Sequence, residues 1–274
     1  MRTAARRFQN VHQAIGFVPT MGCLHKGHLS LVRAARRAAD IVVVSIFVNP
    51  AQFGPKEDFT KYPRTLAKDL SHCRSEGVDI VFCPSVREMY GRTDGFHVDG
   101  EKLTSGLCGK FRHGHFRGVM TVVAKLFNIV RPDVAVFGQK DIQQARIIQE
   151  MVKDLNFPVR VKISPTVREQ DGLAMSSRNR YLSAEQRRNA VCLHKALMTA
   201  AKMIRKGETD TVRIKSAIKR IACGEGGAKL QYVEVVSFDS LKALRRVSGR
   251  TVIALAAFIG KTRLIDNIIL KCGR

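Results

Sequence analysis

Two histidines, His25 and His28, lie three residues apart in the segment PTMGCLHKGH near the start of the chain. On the first turn of a helix this spacing places both rings on one face. A helix start also offers unbonded N–H groups and a positive dipole end, which favour phosphate, and Gly22 permits a tight turn before it. Imidazole N–H groups there could stabilise negative charge on phosphate oxygens. Incidental surface histidines and zinc ligands stay open as alternatives, although no glutamate follows His25 as in the HExxH zinc motif.

Polar side chains also follow two apolar runs further along the chain. Asn49 and Gln52 come after DIVVVSIFV, where amide groups flanked by phenylalanines suit a small polar substrate. Gly138 and Lys140 come after DVAVF, where glycine would give a ligand access and lysine would supply a cation for phosphate. Asp141 beside them could instead be the N-cap of a helix.

A fourth polar segment, DGLAMSSRNR, occupies residues 171–180. Its two hydroxyls, two arginines and glycine suit a mobile anion-binding loop. A polar linker between domains is the other interpretation.

The elements that must position these segments alternate between short β-branched runs and longer helical patterns. The predicted strands span 14–19, 40–48, 79–83, 133–137 and 159–163, and the predicted helices span 27–39, 62–76, 115–130 and 141–155. This βαβ order predicts an α/β fold with a doubly wound parallel sheet. Ligands of such sheets bind outside the carboxyl ends of the strands, which is where three of the four polar segments would lie.

The last part of the chain has a different pattern. All eight prolines lie at or before Pro165. After it, the pattern predicts helices over 184–206 and 211–223 and strands over 230–236, 251–257 and 263–270. We therefore expect a second, smaller α+β domain, and we place the two domains at 1–170 and 171–274.

The net charge of +24, from 47 basic and 23 acidic residues, raises the possibility of nucleic-acid binding. The basic residues are spread along the chain, however, without a basic tail or the aromatic and basic interleaving of single-strand binders. An anionic small substrate explains the charge equally well, and we expect no nucleic-acid partner.

The seven cysteines are scattered and form no CxxC pair, which argues against a disulfide framework and a structural zinc site. No apolar run approaches the roughly 18 residues of a membrane span, and no signal-peptide core follows the basic N-terminus. We expect a cytoplasmic protein without a membrane partner.

Five long segments in one order resemble a known family. They are PTMGCLHKGH, SIFVNPAQFGPKEDFTKYPRT, GHFRGVMTVVAKLFNIVRPDVAVFGQKD, DGLAMSSRNRYL and RLIDN. With them the chain, from about residue 16 to 267, resembles the pantoate–β-alanine ligase (pantothenate synthetase) family of the HIGH-motif nucleotidyltransferase superfamily.

The resemblance implies a Rossmann-like N-terminal domain, a C-terminal lid domain and a homodimer. It implies a ligase of pantothenate biosynthesis, on the pathway to coenzyme A, with pantoate, β-alanine and ATP as substrates and Mg²⁺ accompanying the ATP. Pantoate would attack ATP to give pantoyl adenylate and pyrophosphate. β-Alanine would then attack the acyl carbon to give pantothenate and AMP.

By motif, the resemblance also assigns roles to individual residues. The catalytic residues would be His28, His25 and Lys140, with His28 as proton donor. The ATP-binding residues would be Met21, Gly22, His25, His28, Gly138, Gln139, Lys140, Asp141, Val167, Met175, Ser176, Ser177 and Arg178. The residues for pantoate and β-alanine would be Gln52, Gln144, Asn49, Tyr62, Arg112 and His115.

The chain departs from the family pattern at a few positions. Lys68 precedes Asp69 where two adjacent acids are frequent, and His72 replaces a frequent glutamine. Asp69 is therefore the one candidate magnesium ligand among the side chains, and the ATP phosphates would supply most of the ligands of the ion. His113 and Gln139 stand where proline and glutamate are usual. A different HIGH-type nucleotidyltransferase is the alternative enzyme, and it would lack the pantoate-binding glutamines.

Overall fold

The computed structural model describes residues 1–55, 57–91, 95–224 and 227–273. Their contacts divide the chain into two units. The first comprises 1–104, 109–139 and 144–165, and the second comprises 105–108, 140–143 and 166–274. The domain limits expected from the sequence, 1–170 and 171–274, stay a prediction.

The first unit contains a parallel sheet in the order β3-β2-β1-β4-β5. Its strands are β1 (Ile15–Thr20), β2 (Ile41–Ile46), β3 (Ile80–Phe82), β4 (Val134–Gly138) and β5 (Arg160–Ser164). The predicted Rossmann-like parallel sheet is thereby confirmed. Val42, Val43 and Val44 are all fully buried. Consecutive residues of a strand point to opposite faces, so both faces of β2 are covered, which explains its unbroken apolar run.

The helices of the first unit are α1 (Arg2–Asn10), α2 (Lys26–Arg36), α3 (Leu66–Ser75), α4 (Val86–Tyr90), α5 (His115–Val130) and α6 (Ile142–Asp154), of which α6 begins in the second unit. Neither α1 nor α4 was predicted from the sequence. The predicted start of α3 at residue 62 is wrong, because Thr65 is the N-cap. Pro63 disfavours helical geometry at the residue before it, so the helix begins only after the YPRT segment.

The strand order places the carboxyl ends of β1 and β4 next to each other. The segments that follow these two strands are the ones predicted to bind phosphate. β1 lies between β2 and β4, and it ends at Thr20 while β4 ends at Gly138. The chain leaves β1 toward β2 on one side and reaches β4 on the other, so the strand order reverses between β1 and β4. Such a switch point is where doubly wound folds bind their ligands.

The second unit contains an antiparallel sheet in the order β6-β7-β8. Its strands are β6 (Lys229–Ser237), β7 (Arg250–Ile259) and β8 (Thr262–Lys271), and its helices are α7 (Ala184–Asn189), α8 (Cys192–Arg205) and α9 (Thr211–Gly224). The single helix predicted over 184–206 is wrong. Val191 and Leu193 bond to carbonyls three residues back, and this tighter turn separates α7 from α8.

The core of the second unit forms where α8 and α9 pack with β6–β8. Its fully buried members include Leu197, Ile214, Ile218, Ile253 and Leu255. Burying each such side chain contributes roughly 1.5–3 kcal/mol. Among the described residues, no helix combines the length and the apolar character needed to span a membrane.

We predict that Gly118→Ala destabilises the first unit. A Cβ at Gly118 would lie 2.0 Å from the carbonyl oxygen of Ala51 and 2.8 Å from the amide nitrogen of Gln52. Backbone atoms cannot rotate away, so we expect an overpacking cost at or above the upper end of about 1–3 kcal/mol. This exceeds the roughly 1 kcal/mol that alanine gains over glycine in a helix. Urea unfolding would measure the loss of unfolding free energy.

Gly100→Ala is the matched control, because a Cβ there would meet nothing closer than 3.8 Å. Equal unfolding free energies for the two variants would contradict the predicted close approach of α5 to residues 51–52.

Candidate active site

The predicted histidine pair forms the start of α2. His25 is the N-cap, and its Nδ1 accepts a hydrogen bond from the Gly27 amide at 3.1 Å. The Nδ1 of His28 accepts one from the His25 amide at 3.3 Å. The two imidazoles therefore replace the serine and glutamate of an ordinary capping box. They satisfy two of the amide groups that a helix start leaves unbonded.

These caps determine which ring nitrogens carry protons. Since each Nδ1 accepts an N–H, the proton of each neutral ring lies on Nε2. The ring centroids are 4.1 Å apart with an interplanar angle of 35°. The first turn of α2 thus carries two neighbouring imidazole N–H donors at the positive end of the helix dipole.

The turn before the histidines has an unusual backbone. Gly22 and Cys23 both have positive φ, 78° and 50°, and a left-handed non-glycine residue costs on the order of 1–3 kcal/mol. The carboxylate of Asp69, buried in the first turn of α3, accepts the amide of Cys23 at 2.9 Å and that of Leu24 at 2.7 Å. The Thr65 hydroxyl lies 3.2 Å from both carboxylate oxygens. Asp69 thus holds this turn in place.

The magnesium role expected for Asp69 stays a prediction. Its two oxygens are engaged by N–H and O–H donors. Across the described parts of the chain, no group of three or more His, Cys, Asp or Glu side chains is arranged to hold a metal ion.

Asn49 and Gln52, predicted for substrate binding, are buried and linked to each other. The Asn49 amide nitrogen donates to Gln52 Oε1 at 3.2 Å and to the Gly118 carbonyl at 3.1 Å. The Gln52 amide nitrogen lies 2.8 Å from the sulfur of Met21. The structure therefore brings residues that follow β1 and β2 together, as the sequence predicted.

Tyr90 belongs to this network and was not predicted from the sequence. Its hydroxyl donates to Asn49 Oδ1 at 2.6 Å. Burial raises the pKa of Tyr90 to about 12, so the hydroxyl stays protonated and can donate. The signal was present: Ser85 and Glu88 form a capping box, which marks a short helix after β3 that carries Tyr90.

Arg112, predicted to bind substrate, forms an ion pair with Glu57. Two of its nitrogens lie 2.6 Å from the two carboxylate oxygens. Burial raises the pKa of Glu57, but the hydrogen bonds and charge of Arg112 outweigh it, so the pKa lies below its usual 4.5. Arg112 also contacts His115 Nε2 at 2.9 Å, and His115 Nδ1 lies 2.8 Å from the Gln52 carbonyl. These side chains support the main chain at Gln52.

Two other residues predicted for substrate binding lie in different surroundings. Tyr62 is buried and packs edge-on against Phe53, with ring centroids 6.0 Å apart. Gln144 is half-buried on α6. Its neighbour Gln143 has a structural role, because it accepts the Cys108 amide at 2.9 Å and donates to the Gly106 carbonyl at 2.8 Å.

The segment after β4 follows the sequence prediction in its local form. A Cβ built on Gly138 would meet nothing within 4 Å, so the carboxyl end of this strand is open. Gln139 begins a short 3₁₀ helix that ends at Asp141. The Lys140 ammonium lies 3.6 Å from the Asp141 carboxylate, and the Lys140 carbonyl accepts the Asn267 side-chain amide at 2.9 Å.

The loop before the two serines is tied to β8. Arg168 pairs with the buried carboxylate of Asp266 at 2.6 and 2.9 Å and donates to the Gly172 carbonyl. Gly172 has a φ of 95°, and a Cβ there would lie 2.1 Å from the ring of His194. The Asp266–Asn267 pair of the RLIDN segment thus supports both the Arg168 loop and the turn at Lys140.

The predicted ATP residues of this loop form a compact turn. The Met175 amide donates to the Val167 carbonyl at 3.0 Å. Ser176 is the N-cap of a 3₁₀ helix over Ser177–Tyr181, and its hydroxyl accepts the Arg178 amide at 3.2 Å. Ser177 is buried. The turn places hydroxyl, amide and guanidinium donors in consecutive positions.

A family model described as pantoate-beta-alanine ligase matches residues 1–269. The chain belongs to the pantoate–β-alanine ligase family. It is 53% identical to the pantothenate synthetase of Moorella thermoacetica over 258 residues, which cover 94% of this chain and 91% of that protein. It is 54% identical to that of Acetivibrio thermocellus over 99% of this chain and 96% of that protein.

Solved structures of the family agree. Pantothenate synthetase from Thermus thermophilus matches with a TM-score of 0.91 and 42% identity over 96% of each chain. Pantoate-beta-alanine ligase from Francisella tularensis, solved in complex with beta-gamma ATP and beta-alanine, matches with a TM-score of 0.76 and 35% identity, covering 97% of this chain and 95% of that one. The resemblance predicted from the sequence is confirmed, and with it the assignment as an amide-forming ligase of pantothenate biosynthesis.

We predict that Glu57→Gln lowers stability at neutral pH but not in acid. Because the folded pKa of Glu57 lies below 4.5, its contribution is present above that pH and is lost as the pH falls through the folded pKa. Thermal unfolding of both proteins at pH 7 and at successively lower pH would show the gap in melting temperature closing below pH 4.5. Glu101→Gln, at an exposed position, is the control; a Glu57→Gln gap that is constant with pH would contradict the ion-pair explanation.

Proposed function

We propose that the chain makes pantothenate in two half-reactions at the carboxyl edge of β1–β5. A carboxylate oxygen of pantoate attacks the α-phosphorus of ATP, and pyrophosphate leaves. The amine of β-alanine then attacks the acyl carbon of pantoyl adenylate, loses a proton, and expels AMP. Adenylation is needed because a carboxylate oxygen is a poor leaving group, whereas AMP is a good one.

The observation that carries this proposal is the pair of imidazoles at the start of α2. The ring centroids of His25 and His28 lie 4.1 Å apart where the helix dipole is positive, and each Nδ1 accepts a backbone amide, which leaves Nε2 as the protonated nitrogen of each neutral ring. Charge accumulates on the phosphate oxygens as pyrophosphate leaves, and prearranged donors stabilise that charge. Attack by a carboxylate needs no base, so the first half-reaction asks of these rings only hydrogen-bond donation.

For pantoate we propose binding by Gln52 and Gln144, through its hydroxyls and carboxylate. Gln52 is held by Asn49 and by the contact to Met21, so its amide orientation is set before substrate arrives. Arg112 is engaged by Glu57, and we propose that it acts with His115 by supporting the Gln52 main chain. Tyr62 would contribute an apolar wall.

For ATP we propose binding by the segment around Gly22, by the turn after β4 and by the loop that carries the two serines. In the turn after β4, Gly138 and Gln139 would admit the nucleotide, Lys140 would contact its phosphates, and Asp141 its ribose. In the loop, Val167 and residues 175–178 would contact the nucleotide. The ATP complex of the Francisella tularensis relative supports ATP as the nucleotide.

Magnesium enters the proposal with ATP. The described residues offer no three-residue cluster of metal ligands, and Asp69 is engaged by donors. The side chains therefore do not fit a protein-held ion, and the phosphates would hold it. By the same resemblance we propose a homodimer, which light scattering during size-exclusion chromatography would test. We also propose that the protein is cytoplasmic.

The first experiment measures AMP formation from ATP and magnesium with pantoate and β-alanine, omitting each component in turn. We expect AMP only with the full set, and ATP–pyrophosphate exchange with pantoate alone. Exchange that does not depend on pantoate would contradict the proposed substrate and favour another HIGH-type nucleotidyltransferase. Steeply salt-dependent binding to DNA or RNA without AMP formation would favour the nucleic-acid alternative.

We predict that His25→Asn and His28→Asn separate capping from catalysis. The Oδ1 of asparagine occupies the place of the histidine Nδ1, so the cap bonds persist, whereas the Nε2–H donor is lost. We expect nearly unchanged unfolding free energies and pyrophosphate exchange slowed by about 10²–10³-fold, the effect of removing one transition-state donor.

The alanine variants should lose exchange and, in addition, about 1 kcal/mol of stability for the missing cap. His97→Asn, at an exposed position, is the control. Exchange at the wild-type rate in both asparagine variants would remove the histidines from the phosphate site.

A further inference from the structure

We propose that Asp69 is a positioning residue for the first half-reaction. Its carboxylate would fix the backbone of Cys23 and Leu24, and thereby the position of His25 at the start of α2. The proposal rests on the proposed function, since it concerns the same phosphate-binding histidines. It gives Asp69 a role through hydrogen bonds to the main chain rather than through a metal ion.

The hydrogen bonds of the Asp69 carboxylate hold the backbone of the preceding turn. The residue Asp69 is 1% exposed. Its two oxygens accept the amides of Cys23 and Leu24, which precede it by 46 and 45 residues. The hydroxyl of Thr65, the N-cap of α3, contacts both oxygens. Two neighbouring amides thus converge on one carboxylate, with one oxygen for each amide.

Only a carboxylate of this length fits the contacts. Asparagine has one acceptor oxygen, and its NH₂ group would face a second N–H donor. Glutamate at position 69 would need extra space beside Gly22, and that space is already filled. A Cβ built on Gly22 would lie 3.0 Å from Asp69 Oδ2 and 3.0 Å from a methyl of Ile46. Alanine would leave two buried amides unsatisfied.

The segment needs such an anchor because it is not part of a strand or helix. Gly22 and Cys23 adopt left-handed backbone conformations that regular elements do not stabilise, and the Gly22 amide donates to the Thr20 side-chain hydroxyl. His25 follows two residues after Cys23. A displacement of about 1 Å at the anchor would misplace its Nε2 donor, and such a shift can slow a reaction about a hundredfold.

The experiment compares Asp69→Asn with Asp133→Asn. Asp133 also accepts a backbone amide, that of Ile15 at 2.7 Å, but at the opposite, amino end of β1. ATP–pyrophosphate exchange, its dependence on magnesium concentration, and pantothenate formation from supplied pantoyl adenylate are measured for both variants and wild type. Amide hydrogen exchange at Cys23 and Leu24 is measured in parallel.

We expect Asp69→Asn to slow pyrophosphate exchange about a hundredfold, with an unchanged half-saturating magnesium concentration. Pantothenate formation from supplied adenylate should fall no further than in Asp133→Asn, because that step involves no pyrophosphate. The amides of Cys23 and Leu24 should lose protection. Asp133→Asn should lower stability and leave ATP–pyrophosphate exchange near the wild-type rate.

A higher magnesium requirement with unchanged amide protection would overturn the proposal and make Asp69 a metal ligand. Equal losses in both half-reactions would also overturn it, in favour of general destabilisation. If Asp69→Asn does not fold, Thr65→Val is used instead, because it removes one donor to the carboxylate and should produce the same pattern more weakly. A Thr65→Val variant without that pattern would contradict the proposed role of Asp69. If the wild type makes no AMP, the proposed function fails, while hydrogen exchange still tests the anchor by itself.

Discussion

The start of α2 depends on backbone amides that are satisfied by side chains rather than by other backbone groups. Cys23 and Leu24 donate to one buried carboxylate, and the amides of His25 and Gly27 donate to imidazole nitrogens. A helix start that faces a ligand must leave some amides available, yet its position has to be held firmly. Side-chain acceptors can meet both needs, because they hold the backbone without a neighbouring strand or helix.

A similar arrangement recurs at the end of β2. Asn49 accepts the Tyr90 hydroxyl and donates to the Gly118 carbonyl, while the ion pair of Arg112 and Glu57 lies next to the main chain of Gln52. The absence of a side chain at Gly118 lets α5 approach this turn. Buried polar networks of this kind specify a single geometry, because every member that shifts leaves a partner unsatisfied. The orientation of the side-chain amides proposed to bind pantoate is therefore fixed by contacts with residues from several other segments of the chain.

The second unit shows how a short sequence motif can have a purely supporting role. Asp266 pairs with Arg168, and Asn267 donates to the Lys140 carbonyl. Neither side chain of β8 needs to touch a ligand for the segment RLIDN to matter. It connects two loops, each of which carries residues assigned to ATP by family resemblance, to the central packing of one antiparallel sheet.

The sequence by itself determined the parallel sheet, the place of the polar segments at its carboxyl edge and the family. A central strand that is buried on both faces has an unbroken apolar run, which is visible in the sequence. A strand end followed by glycine and polar residues is also a local pattern that the sequence shows directly. The tertiary structure alone decided what Asp69, Arg112 and Tyr90 do. Their partners lie tens of residues away, and a hydrogen bond between distant segments leaves no periodicity in either one. The ends of helices were likewise decided by proline and by tightened turns, where neighbouring preferences compete and packing chooses between them.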